Sequence, residues 1–275
     1  MRSFAGRMNA RYRTIDFRRV RTYYLTTGTD TARSEHIRAE FRDFDLREVR
    51  PVWLGGERRE GAGGVVTRFQ STATGFMRIV ERGLREASSA PGSFEPFMIL
   101  EDDVRLFPDT PWAVPGARVR IPETCDLLFT GVSSSFHGAE ERFCAHCDRV
   151  HATGPVRATR HDDHLYRVAK MLSFHGVVVC SALGANAISR AMMEAFCKDE
   201  VCDVHTASML EAYEVYALNV PLVYQDARLG GQEAQTKTRI DALLQEGTGG
   251  VESIEPPTTT DDRLVGAKIA AICSQ

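Results

Sequence analysis

Apolar and polar positions along the chain fall into two kinds of segment. Short runs rich in aromatic and β-branched residues read as strands, and longer stretches with an apolar residue every three or four positions read as helices. "RTYYLTTGT" begins as a first strand and ends near Gly28. "TARSEHIRAEFRDF" follows, with Ile37, Phe41 and Phe44 at helical spacing and Thr31 as N-cap. "REVRPVWLGG" is a second strand closed by paired glycines, and "GERREGAGG" is a flexible connection. "STATGFMRIVERGLREA" places Phe76, Ile79, Val80 and Leu84 on one helical stripe, with Ser71 as its cap. The strands "PFMIL" and "CDLLFTG" come next. "FHGVVVCSALGANAISRAMMEAF" predicts a strand, a turn near Gly184 and a helix, and "VYALNVPLVYQ" a final strand. From about Gly247 the Gly-, Pro- and Thr-rich "GTGGVESIEPPTTTDD" reads as a linker before a short closing segment.

Strands alternating with helices predict an α/β fold, a single domain whose mostly parallel sheet is flanked by helices. In such sheets ligands bind beyond the carboxyl ends of the strands. There the apolar run Phe97–Leu100 passes straight into Glu101, Asp102 and Asp103. Adjacent like charges repel, and a buried carboxylate without a partner is costly. In an extended segment Glu101 and Asp103 share a face while Asp102 points away. Oxygen ligands of this kind suit Mg²⁺ or Mn²⁺, which keep open positions for phosphate oxygens. The competing reading is a strand that simply emerges into solvent.

Bulk composition narrows the classes. The chain has 275 residues, 43% hydrophobic and 26% charged, which is ordinary for a folded domain. A formal net charge of -3 argues against bulk affinity for nucleic acid or an anionic membrane. The exception is the N-terminus, where Arg2, Arg7, Arg11, Arg13, Arg18, Arg19 and Arg21 face only Asp16. Residues 1–20 therefore read as a basic arm, and nucleic acid as a partner only through it. No apolar run is long enough to span a membrane. Seven scattered cysteines fit a reducing compartment better than a disulfide framework, which points to the cytoplasm.

"FMILEDDV" resembles the metal-binding motif of nucleotide-sugar transferases with the GT-A fold, and the chain is similar to glycosyltransferase family 25, the lipopolysaccharide and procollagen galactosyltransferase type. Further stretches follow in the family's order. They are the opening strand "YYLTTGT" with Arg33 after it, a helix led by Ser71, "DLLFTG", "GANAISRAMMEAF", "CDVH" and "PLVYQ". The chain departs from the family at "LTTGT", at Thr72 and at Asn186. The resemblance implies a GT-A-like (Rossmann-like) catalytic domain over residues 21–240. Residues 21–130 would form the nucleotide-sugar half and 131–240 the acceptor half, with 241–275 as linker and tail. It implies a glycosyltransferase using Mn²⁺ or Mg²⁺ and a UDP-sugar donor, with a glycan, lipid-linked or protein acceptor. Asp103 would hold the metal, with His205 as a second ligand. Arg33, Ser71, Glu101, Asp102 and Gln225 would contact the donor or acceptor, and Asp203 would be the general base.

A second cluster lies apart from that motif. "HGAEERFCAHCDRVH" holds His137, Cys144, Cys147 and His151, a set that can close a structural zinc site. His161 and His164 are alternative fourth ligands. Coincident cysteines or a redox pair fit the same spacing. Two other functions compete with the transferase: a sugar nucleotidyltransferase of related fold, and a non-catalytic, zinc-ordered binding module with a basic arm.

Overall fold

The computed structural model describes residues 11–26, 31–51, 68–87, 94–132 and 156–229. Among the described residues, twelve strands and four α-helices follow in chain order: β1 (Tyr12–Ile15), β2 (Arg21–Leu25), α1 (Thr31–Glu40), β3 (Leu46–Val49), α2 (Arg68–Ala87), β4 (Phe97–Glu101), β5 (Val104–Leu106), β6 (Val119–Pro122) and β7 (Leu127–Phe129). Then come β8 (Arg157–Arg160), β9 (Leu165–Lys170), β10 (Gly176–Val179), α3 (Ala182–Lys198), α4 (Cys202–Ala207), β11 (Val215–Leu218) and β12 (Val223–Gln225).

Eight strands form one sheet in the order β3-β2-β4-β10-β7-β11-β9-β8. Period-2 alternation divides its side chains between two cores. Tyr23, Phe97, Ile99, Phe129, Val177 and Val179 face one way and pack under α2 and α3. Tyr24, Met98, Leu100, Leu128 and Val178 face the other way, against Ile37 of α1 and the paired strands β1 and β6. Strands covered on both faces carry continuous apolar runs, which is why "FMIL" and "GVVV" show no alternation of polarity.

The sheet is mixed, where a mostly parallel one was expected. The β2–β3, β2–β4 and β7–β11 pairings are parallel. The β4–β10, β7–β10, β9–β11 and β8–β9 pairings are antiparallel. Strand β10 is the central reversal, wedged between β4 and β7. Hydrophobic patterning records which faces are buried and carries no sign of strand direction.

Several local expectations also change. Thr31 is the first residue of α1, and Ser71 lies inside the first turn of α2, so neither is the residue before its helix. The helix α3 is N-capped by Ser181, which accepts a hydrogen bond from the Gly184 amide at 3.0 Å, so Gly184 is already helical. The stretch expected as one final strand divides at Pro221, whose missing N–H and fixed φ suit a break. Its first half is β11 in the large sheet, and its second half, β12, pairs with β5 in a separate two-stranded sheet. Residues 11–20, read as part of the arm, carry β1 and the buried Ile15 and Phe17.

Strand directions align the carboxyl ends of β2, β3, β4, β7 and β11 along one edge of the sheet, and β10 starts from it. The N-terminus of α2 reaches the same edge. Gly75 lies against Leu25 at the end of β2, and Gly83 against Phe97 at the start of β4. A Cβ at either glycine would fall within 2.5 Å of those side chains, so the glycines set how closely α2 approaches the sheet.

Candidate functional site

The site grows from the end of β4. Glu101 is its last residue, Asp102 and Asp103 form a turn, and β5 carries the chain away. Pairing of β5 with β12 sets Gln225 opposite Val104, and the Asp226 amide donates to the Asp103 carbonyl at 2.9 Å. The Gln225 side chain therefore lies over the acids. Its Nε2 donates to Glu101 Oε2 at 2.5 Å and to Asp103 Oδ1 at 3.3 Å. Asp102 turns instead to Arg33 of α1, whose Nη1 is 3.1 Å from its Oδ1.

Asp203 joins the group from α4. Burial and the charges of Asp103, Asp203 and Asp102 hold the Glu101 carboxyl well above the ordinary carboxylate range, against the donated bond from Gln225. Burial raises Asp103 as well, and the Arg33 charge opposes that rise. Asp203 is pushed up to about 6, chiefly by burial; the bond to its own backbone N–H opposes the rise and the charge of Asp103 adds to it. Carboxylates from two separate elements thus share a poorly solvated space, and each holds its proton to higher pH than it would in water. Such a cluster favours any cation that replaces those protons.

Several neighbours were not legible in the sequence. Asp226 accepts from the Arg228 backbone N–H at 3.0 Å and from its Nη2 at 2.7 Å, and Arg105 lies 3.5 Å from it. These bonds, led by the Arg228 side chain, hold the Asp226 carboxyl far below the usual range and anchor the residue next to Gln225. His175 precedes β10, and its carbonyl accepts from the Glu101 amide at 3.3 Å. Its ring is 2% exposed and lies against Gly131, where a Cβ would meet Nε2 at 2.1 Å. The Ser173 hydroxyl donates to the Gly131 carbonyl and sits 3.2 Å from His175 Nδ1. Nδ1 therefore carries the proton, and Nε2 is left as a buried acceptor with no hydrogen-bond partner among the described residues. Burial lowers the His175 pKa to about 4. A histidine just before an apolar run, opposite a glycine, was the available signal.

His205 does not join the acids as a metal ligand. The expectation assumed extended chain, in which residues 203 and 205 share a face, but Cys202–Ala207 is helical. Two residues along a helix point to nearly opposite sides. Accordingly His205 is buried against acids of its own, with Nε2 2.6 Å from Glu200 and Nδ1 3.4 Å from Glu194. Ser71 is buried in the first turn of α2, at the carboxyl edge of the sheet, and its carbonyl accepts from the Thr74 hydroxyl at 2.8 Å.

His137, Cys144, Cys147 and His151 lie outside the described residues. The alternative ligands His161 and His164 sit in the β8–β9 turn. Each packs edge-on against an aromatic ring, Tyr216 at 5.2 Å and Trp112 at 5.3 Å between centroids. Cys125, Cys180 and Cys202 are buried free thiols, and Cys197 is disulfide-bonded. No helix among the described residues is long and apolar enough to cross a membrane. Among those residues, no group of three or more His, Cys, Asp or Glu side chains is set to hold a metal ion. No protein-family model matches the chain, and no curated protein matches it.

Proposed function

We propose that the protein is a glycosyltransferase of GT-A type that transfers a sugar from a nucleoside-diphosphate donor to an acceptor hydroxyl, with help from Mn²⁺ or Mg²⁺. The observation that carries this reading is the meeting of Glu101, Asp103 and Asp203 at the carboxyl edge of the sheet, with Gln225 bridging the first two. The donor set fits the metal: these ions favour oxygen ligands and are commonly held by one or two carboxylates together with substrate phosphates. A cage of three or more protein ligands is not required for such an ion. Gln225 Oε1 adds a buried oxygen beside the two acids that has no partner among the described residues. When bound, the cation would supply neutralisation of charge on the departing diphosphate.

The remaining roles fall to the chain itself. Arg33, in the first turn of α1 and paired with Asp102, is positioned to offer a cation to a phosphate near that helix start. Asp203, with a pKa of about 6, is largely ionised at neutral pH and basic enough to accept a proton. In the transfer the acceptor oxygen bonds to the sugar's anomeric carbon, and the bond from that carbon to the diphosphate oxygen breaks. The diphosphate leaves with the electron pair, and the hydroxyl proton passes to Asp203.

The test is nucleoside-diphosphate release from a panel of UDP- and GDP-sugars, with and without Mn²⁺, in wild type and Asp103→Asn. Many transferases hydrolyse donor slowly without acceptor, so the acceptor need not be known. The expected result is metal-dependent release from one donor class, lost in the variant. Absence of both turnover and binding across the panel would overturn the proposal.

A further inference from the structure

Gln225 is the one residue in the cluster whose two side-chain ends meet different circumstances. Its Nε2 donates to both Glu101 and Asp103, while its Oε1 is buried and accepts no hydrogen bond from the described residues. Leaving an amide oxygen buried and unpaired is costly, because it gives up its hydrogen bonds to water and gains none in return. The backbone gives the residue little freedom to escape, because β12 is paired with β5 on one side and Asp226 is clamped by Arg228 and Arg105 on the other. The terminal torsion of glutamine is soft and roughly two-fold, so the carboxamide itself can turn while the rest of the residue stays in place.

We infer that Gln225 is a two-position ligand: with no cation present its Nε2 bridges Glu101 and Asp103, and when a divalent cation binds there the carboxamide turns so that Oε1 becomes an oxygen donor to it. The inference rests on the proposed cation site and adds a residue and a motion to it. In the first position the amide N–H groups stand in for positive charge between two acids that would otherwise repel. In the second position the orphaned oxygen gains a partner, and the two carboxylates are neutralised by the cation. The exchange makes the site specific for hard, oxygen-seeking divalent ions, because an amide oxygen is a good ligand for Mg²⁺ or Mn²⁺ and a poor one for soft metals.

The test is Mn²⁺ binding to the full chain, measured by the loss of free-ion signal in electron paramagnetic resonance, in wild type, Gln225→Met, Gln225→Glu and Asp103→Asn. Methionine keeps the length of the side chain and removes both amide ends, whereas glutamate keeps an oxygen in the same reach. The expected result is a weakening of about tenfold or more in Gln225→Met and no weakening in Gln225→Glu. As a second readout, the side-chain amide resonances of Gln225, assigned by their loss in Gln225→Met, should shift on titration with Mg²⁺. Mn²⁺ affinity in Gln225→Met within twofold of wild type, or tighter, would overturn the inference, since the amide would then be only a place-holder. That outcome, together with loss of binding in Asp103→Asn, would leave the cation site standing. No Mn²⁺ binding in wild type would remove both.

Discussion

Replacing Asp203 by asparagine should stabilise the cation-free protein at neutral pH. The carboxyl group rises from its ordinary 3.8 to about 6 in the fold, driven first by burial. Each pH unit corresponds to about 1.4 kcal/mol, so the ionised form costs up to about 3 kcal/mol. Asp203 keeps some exposure, which makes that figure a ceiling. The folded chain holds this proton more tightly than the unfolded chain does. Stability is therefore highest below pH 3.8 for this group and falls as pH rises from there through about 6. Asparagine keeps an oxygen to accept the backbone N–H and carries no charge. Urea unfolding of wild type and Asp203→Asn, compared from pH 4 to pH 8, checks the prediction. The two should be close at the acid end and diverge toward pH 8, with the variant more stable. A chain of this size moves its melting temperature by about 2–4 °C per kcal/mol, so the gap is easily read. Saturating Mn²⁺ should narrow it, because a ligand at one hundred times its Kd adds about 2.7 kcal/mol to the form that binds it. Parallel pH curves for the two proteins, or a less stable variant at pH 8, would refute the reasoning that the acids burden one another.

Two further expectations concern the wall behind the acids. His175 must stay neutral in the fold, with a pKa lowered from 6.5 to about 4 by burial, so stability should be lost as pH falls through that window, by about 3 kcal/mol; His175→Gln should flatten this limb in the same urea series, opposite in sign to the effect of Asp203. Gly131→Ala should destabilise by about 1–3 kcal/mol, since the new Cβ falls 2.1 Å from His175 Nε2, and paired melting curves of Gly131→Ala and wild type would show no difference if the ring can move aside.

Strands β2, β3, β4, β7 and β10, helices α1 to α3 and the location of the acids were readable in one dimension, whereas β1, β5, β6, β8, β9 and α4 were not. Phe97–Leu100 had to be buried on two faces, with the acids placed at its end, because apolar runs act locally. The stripe of Phe76, Ile79 and Val80 likewise announced which face of α2 meets the sheet. Tertiary structure decided what those local rules leave open. Sheet direction came from how β10 enters between β4 and β7, a choice that its apolar run does not encode. The fate of His205 depended on whether residues 202–207 coil or extend, and a helical turn took it away from Asp203 toward Glu194 and Glu200. The bond from Gln225 to Glu101 joins residues 124 positions apart, and it exists because a break at Pro221 sends β12 out of the large sheet and onto β5. Burial, too, is a property of the whole fold, so the raised pKa values that make the acids chemically interesting could come only from packing. Sequence determined which groups carry the charge; the fold determined which of them must share one space.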